Sequence, residues 1–178
     1  MNRLTPVTSQ SATRRRFIGV MAVALRDLTP LDRDLLALIF ERLGPRSRIQ
    51  RFLGPKPELP EHDLSALSAV DGSRHFGVIA FAGSPESPVG VARYVRSDED
   101  FEVAETAIEV VDEWQRRGVG RLLLAALRAR ALEAGVRRFE WFALDSNRAM
   151  CALTRGLRDR RHARVGDGVI KWSAAVDE

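Results

Sequence analysis

The amino-acid sequence predicts a single α/β domain. Its 178 residues are close to the roughly 150 expected of one domain. Period-two apolar segments at Phe76–Ala82, Val89–Val95 and Phe101–Val111 read as strands. A strongly apolar helical stretch over 119–134 separates these from a further strand, Phe139–Leu144. A chain of this length buries roughly 70% of its extended-chain surface, so it needs neither a metal nor a disulfide to hold a core.

Each element has a local cause. Residues 1–15 are polar and lack acidic residues, and they are expected to form a disordered tail, leaving 16–178 as the domain. Phe17–Leu25, interrupted by Gly19, has no small-residue cleavage pattern after it and reads as a first strand rather than a secretory signal. Thr29-Pro30-Leu31-Asp32 starts a helix: Thr29 can cap, Pro30 suits the first helical position and Asp32 lies at the positive helix end. Leu31, Leu35, Leu38 and Ile39 give its apolar stripe, and Gly44-Pro45 is expected to stop it. Pro55, Pro57 and Pro60 punctuate the chain before a short helix near 61–69. Turns at 83–88 and at Ser97-Asp98-Glu99-Asp100 divide the three period-two strands. The long helix carries Val119, Leu122, Leu123, Ala126 and Leu127 on its apolar side and stops at Gly135. Phe139–Leu144 is apolar on both faces except at Glu140, as expected of an interior strand. A helix near 147–157 groups Met150, Leu153 and Leu157, and Gly166-Asp167-Gly168 predicts a closing hairpin.

Composition excludes several classes. Apolar residues make up 45% and charged residues 29%, an ordinary globular balance. The lone Cys151 permits no intrachain disulfide, and with His62, His75 and His162 scattered there is no metal-ligand spacing. No apolar run approaches the 18 residues of a membrane span, so a cytoplasmic, reducing setting is expected. Net charge is +4, and lysine occurs only at Lys56 and Lys171, so arginine carries the positive charge. That modest excess, without a nucleic-acid reader motif, makes a nucleic-acid partner a poor fit.

The segment from Val110 to Arg121 is the most informative. A strand enters a loop containing Gly118 and Gly120, and the loop opens the apolar helix. Helix N-termini carry unpaired N–H groups and a partial positive charge, and glycine lets an anion approach the backbone. Arg116, Arg117 and Arg121 add charge at the same point. A Walker loop would need glycine-lysine-serine/threonine where this chain has Gly120-Arg121-Leu122, and a dinucleotide fingerprint would need a third glycine.

The spacing Gln115-x-x-Gly118-x-Gly120, followed by another strand and by Asn147-x-x-Met150-x-x-Leu153, resembles the acyl-coenzyme A core of the GNAT superfamily of N-acetyltransferases. The resemblance covers roughly residues 17–174. The stretch from Leu35 to Leu53 is similar to bacterial members close to the acetyltransferase domain of protein lysine acetyltransferases. It implies a mixed, mostly antiparallel central sheet flanked by helices and splayed at the acyl-CoA site. Acetyl-CoA would be the co-substrate, with no metal. Pantetheine would pair with the backbone of Ile108, Glu109 and Val110, and the pyrophosphate would rest on the loop Gln115, Arg116, Arg117, Gly118, Val119, Gly120 and Arg121. Asn147 would contact the pantetheine arm, or serve only as a helix cap.

The implied chemistry is attack of an amine on a thioester within a ternary complex. An unperturbed lysine is neutral about once in a few thousand molecules at pH 7, so a carboxylate base helps. Glu105 matches the family's strand glutamate, and Glu109 on the same face is the reserve. The backbone N–H of Val110 would polarise the thioester carbonyl. The family's tyrosine, seven residues after the asparagine, is Thr154 here, and the only tyrosine, Tyr94, lies on a strand. Trp114, Trp141 and Cys151 read as packing residues. The expected acceptor is a protein lysine, with a small amine or antibiotic as the alternative, and a homodimer is compatible with the family. A non-catalytic acyl-CoA sensor is the rival reading.

Overall fold

The structure, a computed structural model, describes residues 14–18, 21–84 and 86–177, with side chains from Ala22 onward. The tail expected over 1–15 lies outside these residues apart from Arg14 and Arg15, whose backbone is part of a strand. The strands are β1 (Arg14–Ile18), β2 (Met21–Asp27), β3 (His75–Ala82), β4 (Pro88–Arg96), β5 (Val103–Val110), β6 (Arg138–Leu144), β7 (Arg161–Gly166) and β8 (Val169–Ala175). The helices are α1 (Arg33–Glu41), α2 (Pro45–Phe52), α3 (Glu61–Ser68), α4 (Val119–Glu133) and α5 (Arg148–Leu153).

The strands form one sheet in the order β1-β2-β3-β4-β5-β6-β8-β7. Every described pairing is antiparallel except β5 with β6. A parallel pair needs a long crossover, and α4 provides it. The parallel ladder is short. It runs through Val103 opposite Arg138, Ala104 opposite Phe139 and Glu105 opposite Glu140, and there it ends. Beyond it β5 stays paired with β4 as far as Val110, and β6 with β8 as far as Leu144. The two central strands therefore part, and the sheet is splayed on their far side.

Side-chain alternation assigns the layers. A methyl group placed on Gly90 would touch Leu123 of α4, so Gly90, Ala92 and Tyr94 of β4, with Thr106 and Ile108 of β5, face α4. Arg93 reaches the Leu67 carbonyl in α3, and Glu109 reaches Arg51 in α2, so the other face carries α1 to α3. Between sheet and α4 the core includes Leu123, Leu127, Tyr94 and Phe139, all buried. Each buried leucine contributes about 2 kcal/mol. Both edges are polar: β7 is exposed along its length and β1 reads Arg-Arg-Arg-Phe-Ile. Such edges resist pairing with other sheets.

Three boundaries differ from expectation. The first strand, expected at Phe17–Leu25, is a hairpin of β1 and β2 with Ile18 opposite Met21. Gly44-Pro45 does not simply end a helix: α1 stops at Glu41, and Pro45 opens α2 from the favourable first position. The helix expected over 147–157 is shorter, with Asn147 as its cap and Thr154 closing it.

Candidate active site

A cleft of about 250 Å³ opens where β5 and β6 part. Its walls include Glu105, Thr106, Ala107 and Ile108 of β5, Trp141 and Phe142 of β6, Asn147 and Met150 at α5, and Gln50 to Leu53 at the end of α2. Trp141 is buried and stacks on Trp172 at 6.2 Å. Leu53 ends α2 in the left-handed region, with φ 62°, a costly conformation for a side chain with a Cβ.

The backbone of β5 alternates its hydrogen bonds. Ser97 donates to the Val103 carbonyl and Val111 donates to that of Val89, so odd-numbered residues of β5 turn to β4. Ile108 and Val110 turn the other way, into the gap left by β6. Glu109 thus differs from its two neighbours: its backbone serves β4, and its carboxylate serves two arginines. The Val110 carbonyl accepts a hydrogen bond from Gln115 Nε2 at 3.0 Å, leaving its N–H toward the gap.

Glu105 and Glu140 face each other across the last parallel pair. Lys171 Nζ lies 2.8 Å from Glu140 and neutralises it. Glu105 has no ion-pair partner among the described residues and is exposed at the cleft. Of the acidic stretch leading into β5, only Glu105 lines this cleft; Asp98 is paired with Arg74.

Past Val110 the chain makes a single turn, Asp112–Trp114, and then the loop. Arg116 and Gly118 both have positive φ, 57° and 89°. Alternation of this kind gathers successive N–H groups into an anion-binding concavity. No side chain caps α4, so the Val119 and Gly120 N–H groups stay available to a ligand, while that of Arg121 donates to the Gly118 carbonyl at 3.1 Å. Residues 115–118 are exposed and Val119 is buried beneath them. Gly118 is required by its φ. Gly120 is not crowded: a Cβ there would meet Leu153 at an ordinary 3.7 Å. Arg117 lies over the Trp114 ring at 5.4 Å. Arg121 lines a separate groove of about 560 Å³ with Arg128 and Arg155, between α4 and α5.

Gln115 is a structural clasp. Its Nε2 donates to Val110, to Asp112 Oδ1 at 3.1 Å and to Ser47 Oγ of α2 at 3.1 Å. Beside it, the Gly44 N–H donates to Asp112 at 3.3 Å, and Arg42 binds Glu113 at 2.5 Å. Three contacts thus join the α1–α2 corner to the segment entering the loop. Asn147 is a helix cap that also lines the cleft. Its Oδ1 accepts from the Met150 N–H at 3.0 Å as a cap, and the residue lines the cleft.

Arg51, Glu109 and Arg93 form the electrostatic centre of the α2 face. Arg51 Nε donates to Glu109 Oε2 at 2.8 Å, and Arg93 Nη2 donates to Oε1 at 3.4 Å. Arg93 is 4% exposed. Burial, aided by repulsion from Arg51, pushes its guanidinium down to about 10 against the attraction of Glu109. Glu109 is thereby committed to ion pairs and is a poor reserve base.

The tyrosine position of the family is Thr154, buried, with its hydroxyl donating to the Met150 carbonyl at 2.9 Å. Tyr94 is sealed between Phe76 and Phe139, where burial raises its phenol, and it does not line the cleft. Among the described residues no group of acidic, histidine and cysteine side chains could hold a metal, and no helix is long and apolar enough to cross a membrane. Sequence reasoning missed Arg51, Lys171 and the pairing role of Glu140. The one charge in the apolar strand at Glu140 was the available signal.

Comparison with known proteins agrees with this geometry. The model of the Acetyltransferase (GNAT) family matches residues 42–157. Over 87 residues, 49% of this chain and 26% of the relative, the sequence is 37% identical to Acetyltransferase Pat of Mycolicibacterium smegmatis. The match thus spans about a quarter of that relative's length. It is 30% identical over 139 residues to Acetyltransferase PA5475 of Pseudomonas aeruginosa, covering 74% of this chain and 73% of the relative. The GNAT domain of S. lividans PAT superposes with a TM-score of 0.78 at 25% identity, covering 92% of this chain and 96% of that one. The fold is also that of yncA from Salmonella typhimurium, solved with its cofactor acetyl-CoA (TM-score 0.66, 16% identity, 88% and 95% covered).

Proposed function

The chain belongs to the GNAT acetyltransferase family, and on that premise we propose that it transfers an acetyl group from acetyl-CoA to a primary amine, a protein lysine in preference to a small amine. Members of this family use acetyl-CoA. The observation that carries the reading is Glu105, an unpaired carboxylate on the wall of the cleft that Ile108 also lines.

The residues suit the donor. The Ile108 and Val110 backbone would pair with the pantetheine arm as a missing strand would. The N–H groups of Arg116 to Gly120 would hold the pyrophosphate, with Arg116 and Arg117 adding charge; the Arg121 N–H, expected to join them, is taken by the Gly118 carbonyl. Asn147 would contact the arm through its amide NH₂.

Glu105 takes a proton from the acceptor ammonium, directly or through water, and leaves a neutral amine. The Val110 N–H donates to the thioester oxygen as negative charge develops there. The amine nitrogen bonds to the carbonyl carbon, the carbon–sulfur bond breaks, the thiolate departs with the electron pair, and the nitrogen releases its extra proton to water to become the neutral amide. With Thr154 committed to Met150, that thiolate takes its proton from solvent. Lys171 keeps Glu140 neutralised, so Glu105 works beside an ion pair rather than a second bare carboxylate.

A calorimetric titration with acetyl-CoA tests the donor site. Micromolar binding, about −8 kcal/mol, lost in Gly118→Asp, is the expected result. No binding at millimolar acetyl-CoA overturns the reading. The buried Thr154 at the tyrosine position favours one second reading, a non-catalytic acyl-CoA sensor. That reading requires tight binding with no thiol release on any lysine peptide.

A further inference from the structure

Beside the cleft two guanidinium groups, Arg51 and Arg93, meet at one carboxylate, Glu109. Among the described residues Glu109 is the one carboxylate within ion-pair distance of either Arg51 or Arg93. One carboxylate therefore serves two guanidinium groups. Arg93 Nε is buried with no hydrogen-bond partner. Arg51 spends its Nε on Glu109, and among the described residues its two Nη groups have no hydrogen-bond partner. Arg51 also lines the cleft with Glu105, its side chain 18% exposed. A half-buried guanidinium with two donors left over is a fork for a planar anion.

The donor does not supply that anion at this position. The acyl group of acetyl-CoA is uncharged, and its phosphates belong to the loop before α4. Glu105 and Glu109 share one face of β5, the face covered by α2. Four residues of strand separate them, roughly 13 Å. Arginine and glutamate side chains reach back over part of that distance. An acceptor that places its amine at Glu105 and a carboxylate at Arg51 must hold the two groups about a lysine side chain apart.

We propose that Arg51 recognises a carboxylate carried by the amine acceptor, so that the preferred acceptor is a lysine-type amine with a carboxylate one side-chain length away. This rests on the reading of the cleft as the amine-acceptor site. The carboxylate has two sources, an acidic residue beside the lysine in a polypeptide or the α-carboxylate of the lysine itself.

The experiment uses the full chain at saturating acetyl-CoA and measures thiol release with two acceptor pairs. One pair is a lysine peptide with glutamate or glutamine beside the lysine. The other is Nα-acetyl-lysine or its amide. The expected kcat/KM ratio, acid over neutral, is about tenfold or more in at least one pair, and the responding pair identifies the source. In Arg51→Gln that ratio falls to within about twofold of one. In Arg51→Lys, which keeps the charge beside Glu109 but not the fork, it is intermediate. Unfolding curves establish that each variant is folded, and if Arg51→Gln is not, the drop in Arg51→Lys carries the test.

Ratios near one in the unmodified chain overturn the proposal, and so does a ratio unchanged in both variants. Those results leave the acetyltransferase reading standing, because neutral amines are then acetylated. Acetyl-CoA binding with no transfer to any of the four acceptors overturns both.

Discussion

Glu105 and Glu140 stand opposite each other at the last rung of the only parallel ladder among the described strands, and Lys171 is paired with just one of them. The rung sits at the mouth of the cleft. One carboxylate is fixed in an ion pair, and the other has no ion-pair partner among the described residues.

From this asymmetry, Glu105→Gln lowers kcat by about 100-fold or more, the usual contribution of a general base. Glu140→Gln frees Lys171 and has a smaller effect. Steady-state thiol release with a lysine peptide separates them. Equal losses in the two variants would remove the assignment of Glu105.

Asn147 serves the helix with its oxygen, and the residue lines the cleft. Asn147→Asp keeps the cap and loses the donor, so it weakens acetyl-CoA binding while the unfolding midpoint holds. Asn147→Ala also loses the cap and about 1 kcal/mol of stability. Calorimetry and urea unfolding on both variants check the split.

Glu109→Gln leaves the buried Arg93 and the half-buried Arg51 guanidinium groups facing a neutral amide. Removing one member of a buried ion pair costs about 3 kcal/mol or more. Urea unfolding measures it, and a loss under about 1 kcal/mol would mean that the triad is not closed in solution.

Acid sensitivity has a source at the entry to α1. Burial pushes the Asp32 carboxyl up, but hydrogen bonds from Arg26 and Thr29 outweigh it and leave the group below its ordinary value. A depressed folded value means stability that is fully present above the unfolded value, about 3.9, and lost as pH falls through the folded one. Asp32→Asn removes that dependence: it is less stable at neutral pH by about 2 kcal/mol, and the gap to the unmodified chain narrows below pH 4. Unfolding curves over a pH series test it.

Much of this was legible in the sequence. The period-two runs gave β3, β4 and β5, and the glycine after the long apolar helix marked its end. Gly118 was recognisable from its spacing to Gln115 and Gly120 at the start of an apolar helix, and the structure adds that its φ is positive. Helix α2 was not legible. Its eight residues carry apolar side chains only at Ile49 and Phe52, and Pro45 reads equally well as an ending and a beginning. Tertiary contacts hold it in place, with Phe52 edge-on to Phe40 at 5.8 Å and Arg48 over the Phe40 ring at 4.2 Å. The roles of Arg51 and Glu140 depend on that placement and on strand register, which no local pattern encodes. Arg14 to Arg16 were too polar to read as a strand, yet polarity suits an edge.

The contacts from Ser47, Gly44 and Arg42 to Gln115, Asp112 and Glu113 make the α1–α2 corner and the segment entering the loop before α4 a single mechanical part. A load placed on that loop is transmitted to α2 without crossing the sheet. Whatever orders the loop therefore also steadies the wall of the cleft that runs from Gln50 to Leu53.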